Sequence, residues 1–135
     1  TLRLEAAMPL YGHELSEAID PFQAGLGFAV QFKGRDFIGA DALKELKSRA
    51  DAPQRIGLEM ASKRVPREHY PVLANGETVG EITSGTFSPT LERPIAMAYV
   101  QPTAAKVGTE LTVDIRGRAE PARVVALPFY QRKSK

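Results

Sequence analysis

Cysteine is absent from the 135 residues, which rules out disulfides and thiolate chemistry and leaves a structural zinc site without its usual sulfur ligands. No apolar run approaches the ~20 residues that a membrane-spanning helix needs, and the start carries no signal-peptide pattern. No initiator methionine stands at the start, and "TLRLEA" alternates from the first residue, with Leu2 and Leu4 opposing Arg3 and Glu5. That reads as the interior of an element, so the chain is expected to be a piece of a longer protein. Charge of one sign is scarce. The formal net charge is +2, small for a nucleic-acid binder, and the one dense basic patch, "QRKSK" at residues 131–135, is expected to be a solvated tail. Histidine occurs twice and no serine sits in an elbow motif, which excludes a nucleophilic triad. These absences fit a cytoplasmic protein with neither nucleic acid nor membrane as partner.

What is present is an ordinary globular composition, 43% hydrophobic and 25% charged. A chain of this length should bury roughly two-thirds of its extended surface on folding. Residues 1–52 read as mixed helix and strand. Pro9 and Gly12 prevent a long helix through "EAAMPLYGHEL". In "DPFQ", Asp20 is placed to cap, Pro21 suits the first helical position, Gln23 completes a capping box, and Gly25 ends the turn. "LGFAVQF" alternates, with Leu26, Phe28, Val30 and Phe32 on one face, and predicts a half-buried strand. "GADALKELKSRA" predicts a helix with a stripe of Ala40, Leu43, Leu46 and Ala50 and a Glu45–Arg49 pair.

The texture changes near residue 53. Six strand-like runs follow, at 55–61, 70–74, 77–83, 94–100, 110–116 and 122–127, with Asn75-Gly76 as a hairpin signal between two of them. Such spacing predicts a compact antiparallel barrel or sandwich. The fold class expected is therefore α+β, an α/β portion followed by a small antiparallel β-barrel. One connector is unusual. "TSGTFSPTLERP" at 83–94 is rich in hydroxyls and proline and predicts a stiffened polar loop, with Ser84 and Thr86 bonding local backbone and Gly85 making a sharp turn.

Candidate chemistry is thin on spacing alone. His13 and Glu17 stand at i,i+4 but lack a third ligand, so a surface histidine is favoured over a metal site. His69 lies between prolines in "PREHYP" and reads as a loop residue. "GLGFAV" imitates a dinucleotide loop but precedes its strand and lacks the third glycine. Arg67 and Tyr70 share a rigid loop, where exposed polar residues and ligand contact are equally good readings.

Five segments taken together, "TLRLEAAMPLYGHEL", "DPFQAGLGFAV", "DFIGADAL", "VGEITSGTFSPTLERPIAMAYV" and "LPFYQR", resemble the C-terminal portion of the glycine cleavage T-protein (aminomethyltransferase) family, in order and over nearly the whole chain. The resemblance implies that residues 1–52 are the C-terminal part of a folate-binding α/β domain and residues 53–135 a jelly-roll-like β-barrel domain. It implies part of an enzyme that moves the aminomethyl group from a lipoyl-carrying protein of the glycine cleavage system to tetrahydrofolate, releasing ammonia. Glu5 matches the glutamate that holds the pterin, and Arg35 an arginine near the folate, with Lys33 competing for that role. Tyr11 and Arg67 are candidates for lining the cavity. The family's catalytic aspartate lies upstream of "LRLEA", so no catalytic residue is expected within this sequence, nor activity from it alone. On the same reading the 83–94 loop would close one end of the barrel, face the neighbouring domain and be presented to the lipoyl partner. Two alternatives share the fold: a non-catalytic folate- or protein-binding module, and a folate-dependent methylglycine demethylase.

Overall fold

From Gln54 onward, period-two alternation of apolar residues becomes a closed barrel, because each strand has one face that must leave water. The computed structural model describes residues 2–34, 37–48 and 51–132. Six antiparallel strands among them are β1 (Gln54–Met60), β2 (Pro71–Ala74), β3 (Glu77–Ser88), β4 (Arg93–Val100), β5 (Glu110–Ile115) and β6 (Arg118–Val125). They close in the order β1-β4-β3-β2-β5-β6. Inside lie Ile56, Leu58, Val72, Ile82, Ala96, Ala98, Val113 and Val124, all buried in one cluster. The β2–β3 hairpin turns on Asn75 (φ 52°) and Gly76 (φ 83°), the left-handed pair that a two-residue hairpin requires.

The central strand for function is β4. Its run from Pro94 to Val100 is buried on both faces. Ala96, Ala98 and Val100 point into the barrel, while Ile95 and Met97 point outward into a second cluster with Leu4, Ala7, Leu91, Leu127 and Phe129. The outer face of β4 is thus covered by chain from both ends of the sequence. Gly57 admits that cover, since a Cβ there would come within 2.5 Å of a Leu127 methyl.

The alternation in "TLRLEA" falls in an element, a single helical turn, α1 (Leu2–Glu5). Leu4 is buried, as is Ala7 beyond the turn at φ 55°, and Leu2 is exposed. One local expectation is corrected: "LGFAVQF" is not a strand. Gly27–Ala29 is a short 3-10 turn, Phe28 is 81% exposed, and no strand lies alongside to receive it among the described residues. The helix α2 (Ala40–Lys47) forms as expected, entered through Gly39 at φ 89°, with Ala40 buried and Leu43 and Leu46 half-buried. Lys44 and Lys47 lie 5.6 and 5.7 Å over the Phe32 ring. Ala50, Arg49 and the last three residues of the basic tail fall outside the described residues. The capping box is present. Asp20 Oδ1 accepts from the Phe22 and Gln23 amides at 2.8 and 2.9 Å, and Gln23 Oε1 accepts from the Asp20 amide at 3.1 Å.

The hydroxyl-rich connector is also corrected. Strand β3 runs on to Ser88 and pairs with β4 as far as Ser88↔Arg93, so only residues 89–92 form the turn. Gly85 makes no turn. It lies in the strand where a Cβ would come within 1.9 Å of the Pro66 carbonyl oxygen, so it serves a close backbone approach.

Candidate functional site

The hydroxyls of β3 meet two buried glutamates carried by the segment before the barrel. A register shift between Ile82 and Ser84 leaves Thr83 opposite no residue of β4. A bulge of this kind re-aims side chains, and Thr83 and Ser84, though adjacent, both reach Glu14. Thr83 Oγ1 lies 2.9 Å from Glu14 Oε1, and Ser84 Oγ donates to the same oxygen. Glu14 Oε2 accepts from the Leu10 amide at 2.9 Å and from Arg3 Nη1 at 3.3 Å. Three donors and a share of the Thr83 proton, which the Met97 carbonyl at 3.0 Å also attracts, thus occupy nearly all of the roughly four acceptor sites of one carboxylate. Glu14 has no exposed surface at all, and its function is complete within the chain: it ties the segment to the barrel.

Glu5 differs. At the end of α1 it is 4% exposed and accepts from Ser88 Oγ at 2.5 Å and from Thr90 Oγ1 at 3.3 Å. With the Thr90 amide, which also acts on the carboxylate, three donors engage it and part of its acceptor capacity stays open. Its pKa is lowered from the ordinary 4.5, first by the Ser88 hydroxyl and further by the Thr90 hydroxyl and amide, against the opposing effect of burial. The carboxylate is therefore charged at neutral pH. Pro89, Thr90 and Glu92 above it are exposed, so Glu5 lies one short turn beneath the surface. The Tyr130 amide donates to the Glu5 carbonyl at 2.9 Å, which fixes the main chain at this point from the C-terminal side.

Other expected site residues do not join this cluster. Tyr11 is 71% exposed and pairs only through a backbone bridge with Leu15. Arg67 and Lys33 are exposed and make no hydrogen bond to Glu5. Arg35 lies outside the described residues. His13 holds Glu68 Oε1 at 2.9 Å through Nδ1, a contact between the segment and the β1–β2 loop. Among the described residues no group of three or more His, Asp or Glu is placed to hold a metal ion. None of their helices is long and apolar enough to cross a membrane, which says nothing of strands. A groove of about 630 Å³ over β1, β5, β6 and the β2–β3 hairpin includes Glu59, Arg93 and Arg123 but neither glutamate. Its Glu59 and Arg93 pair with each other at 3.1 Å.

Sequence reasoning missed Glu14, Thr83, Ser88 and Thr90. Nothing local marks them, because each partner lies far along the chain. The signal available was the hydroxyl run itself, in a strand where apolar residues were due.

Comparison with known proteins matches the barrel directly. The family model described as "Glycine cleavage T-protein C-terminal barrel domain" matches residues 54–131. An aminomethyltransferase of Symbiobacterium thermophilum is 56% identical over 132 residues, covering 97% of this chain and 35% of that protein. One of Streptomyces coelicolor is 59% identical over 138 residues, covering 98% of this chain and 37% of that protein. The crystal structure of glycine cleavage system aminomethyltransferase T from Bartonella henselae superposes with a TM-score of 0.87 at 33% identity, over 96% of this chain and 37% of that one. The chain therefore spans little more than a third of the length of these relatives.

Proposed function

The chain belongs to the glycine cleavage T-protein family through its C-terminal barrel domain, and from that premise we propose that it acts as the C-terminal part of a tetrahydrofolate-dependent aminomethyltransferase. In that role the whole protein takes the aminomethyl group from the lipoyl arm of a carrier protein and passes it to tetrahydrofolate, releasing ammonia. Residues 1–52 would complete a folate-binding domain and residues 53–135 form the barrel that buttresses it. The aspartate that takes part in the chemistry would lie outside this sequence, so these residues bind and orient and do not carry out the transfer alone. The setting is proposed to be the cytoplasm.

The observation that carries the proposal is Glu5. A pterin presents a ring N–H and an exocyclic amine as parallel donors, and a charged carboxylate accepts both in one plane. Glu5 is charged, held by Ser88 and Thr90, and left with part of its acceptor capacity open. Glu14, equally buried, is filled by its own chain and has no such capacity. Arg35, or Lys33 in its place, would face the anionic tail of the folate, and Tyr11 and Arg67 would line the approach.

Calorimetric titration of tetrahydrofolate into a full-length protein carrying this sequence tests the reading. Glu5→Gln keeps the shape and replaces one acceptor oxygen with a donor, so affinity should fall roughly ten- to a hundredfold. Unchanged affinity in Glu5→Gln would remove Glu5 from the folate site.

A further inference from the structure

We propose that Ser88, at the end of β3, is the positioning residue that aims Glu5 at its ligand, so that the barrel contributes directly to the folate site. The inference rests on the folate reading above and adds to it a residue from the other side of the molecule.

Ser88 is fully buried, and its hydroxyl has two polar neighbours. The Leu91 amide donates to Ser88 Oγ at 3.1 Å, and Glu5 Oε1 lies on the other side. An amide can only donate, so the serine oxygen is the acceptor there and its single proton is directed to Glu5. One carboxylate oxygen is thereby pinned from the barrel side, and the Thr90 hydroxyl, 3.3 Å from Oε2, restrains the other. A carboxylate free to rotate would lose part of its affinity in ordering itself for each ligand. One held in advance does not, which is the general advantage of a preorganised site. The Leu91 amide belongs to the four-residue turn that roofs the site, so the same serine ties together the end of the strand, the turn above it and the carboxylate below.

The arrangement also accounts for the hydroxyls placed at a strand end between two pieces of core. Ser84 and Ser88 are four residues apart on β3 and share a face. One completes a saturated structural carboxylate, and the other holds a carboxylate with capacity to spare.

The experiment measures tetrahydrofolate affinity by calorimetry, and the KM for tetrahydrofolate with aminomethylated lipoyl protein saturating, in a full-length protein carrying this sequence. Ser88→Ala should weaken tetrahydrofolate about tenfold and raise its KM by a similar factor, with kcat within about twofold. Thr90→Val, a change at an exposed residue, should weaken binding about threefold. Ser84→Ala serves as the structural control and should lower the melting temperature while leaving tetrahydrofolate affinity unchanged. If Ser88→Ala and Thr90→Val bind as the parent does while Glu5→Gln does not, Ser88 is merely structural and this inference falls while the folate reading stands. Equal losses in Ser84→Ala and Ser88→Ala would overturn it too, as a general loosening. Normal binding by Glu5→Gln would remove the folate reading itself.

Discussion

The Tyr99 hydroxyl donates to the main-chain carbonyl of Glu14 at 2.7 Å, so a single residue is gripped through its backbone by β4 and through its side chain by β3. Removing the Glu14 carboxylate leaves Ser84 and the Leu10 amide without their acceptor in a dry setting, while Thr83 keeps the Met97 carbonyl at 3.0 Å. Each orphaned buried donor costs on the order of 1–3 kcal/mol, less whatever water recovers. Glu14→Ala should therefore lower stability by about 3 kcal/mol in urea unfolding. A loss below about 1 kcal/mol would mean that water enters the site and that the segment is held by its apolar contacts instead.

Acid should act on the same joint. Burial alone raises the Glu14 pKa, but the Ser84 hydroxyl, the Leu10 amide, the Thr83 hydroxyl and Arg3 together more than offset it and bring it below the ordinary 4.5. Glu5 is lowered as well, chiefly by Ser88. A carboxylate with a depressed folded pKa contributes stability that is fully present above its unfolded pKa and is lost as pH falls through the folded one. Stability should accordingly decline below pH 4.5, and Glu14→Gln, having nothing to titrate, should show a shallower decline. Urea midpoints at about pH 7 and about pH 3 for both proteins check this. Parallel curves would show that Glu14 keeps an ordinary pKa.

The barrel was legible in sequence because its strands bury one face each, and alternation records that locally. Asn75-Gly76 and the Asp20–Gln23 box were legible for the same reason, since the residues that make each motif are neighbours in sequence. The extension of β3 was not. Thr83, Ser84 and Ser88 are polar yet buried, and their partners Glu14 and Glu5 lie 69 to 83 positions away. A hydroxyl run with distant carboxylates looks, from nearby residues alone, like a loop. "LGFAVQF" misled in the opposite way: it has strand alternation but no neighbouring strand among the described residues, so Phe28 stays exposed. Glu5 was singled out only through the family resemblance, since an isolated glutamate in "LRLEA" carries no local signal of a site.

Glycines in the second half divide into two kinds, and substitution should separate them. At Gly76 φ is 83° and nothing lies within 4 Å of an added Cβ, so Gly76→Ala costs only the left-handed backbone, about 1–2 kcal/mol. At Gly85 the Cβ would meet the Pro66 carbonyl oxygen at 1.9 Å, and Gly85 itself is held opposite Ala96 in the β3–β4 ladder. Gly85→Ala should cost about 3 kcal/mol or more. It should also disturb the tilt of Ser84, loosening Glu14. Thermal melts of the two variants decide the order. If Gly76→Ala proves the more damaging, the close approach at Pro66 relaxes more readily than its geometry indicates.

Arg55 offers the sharpest separation of segment from barrel. At the start of β1 its Nε donates to the Ala24 carbonyl at 2.7 Å and its Nη1 to the Ala7 carbonyl at 2.7 Å, with Met97 Sδ at 3.2 Å from the same nitrogen. One rigid fork thus joins two turns of the segment to the barrel wall. Burial lowers its pKa, but a guanidinium stays charged at any working pH. Lysine can reach one carbonyl and not both, so Arg55→Lys should cost about 2 kcal/mol. Because the barrel interior around Val72 and Val113 does not contact the fork, the loss should be local. Hydrogen exchange should quicken at the Met8, Gly25 and Leu26 amides, which close the turns that Arg55 holds, and stay unchanged at Val72 and Val113. Uniform acceleration across the chain would instead make segment and barrel one cooperative unit, with Arg55 part of its common core.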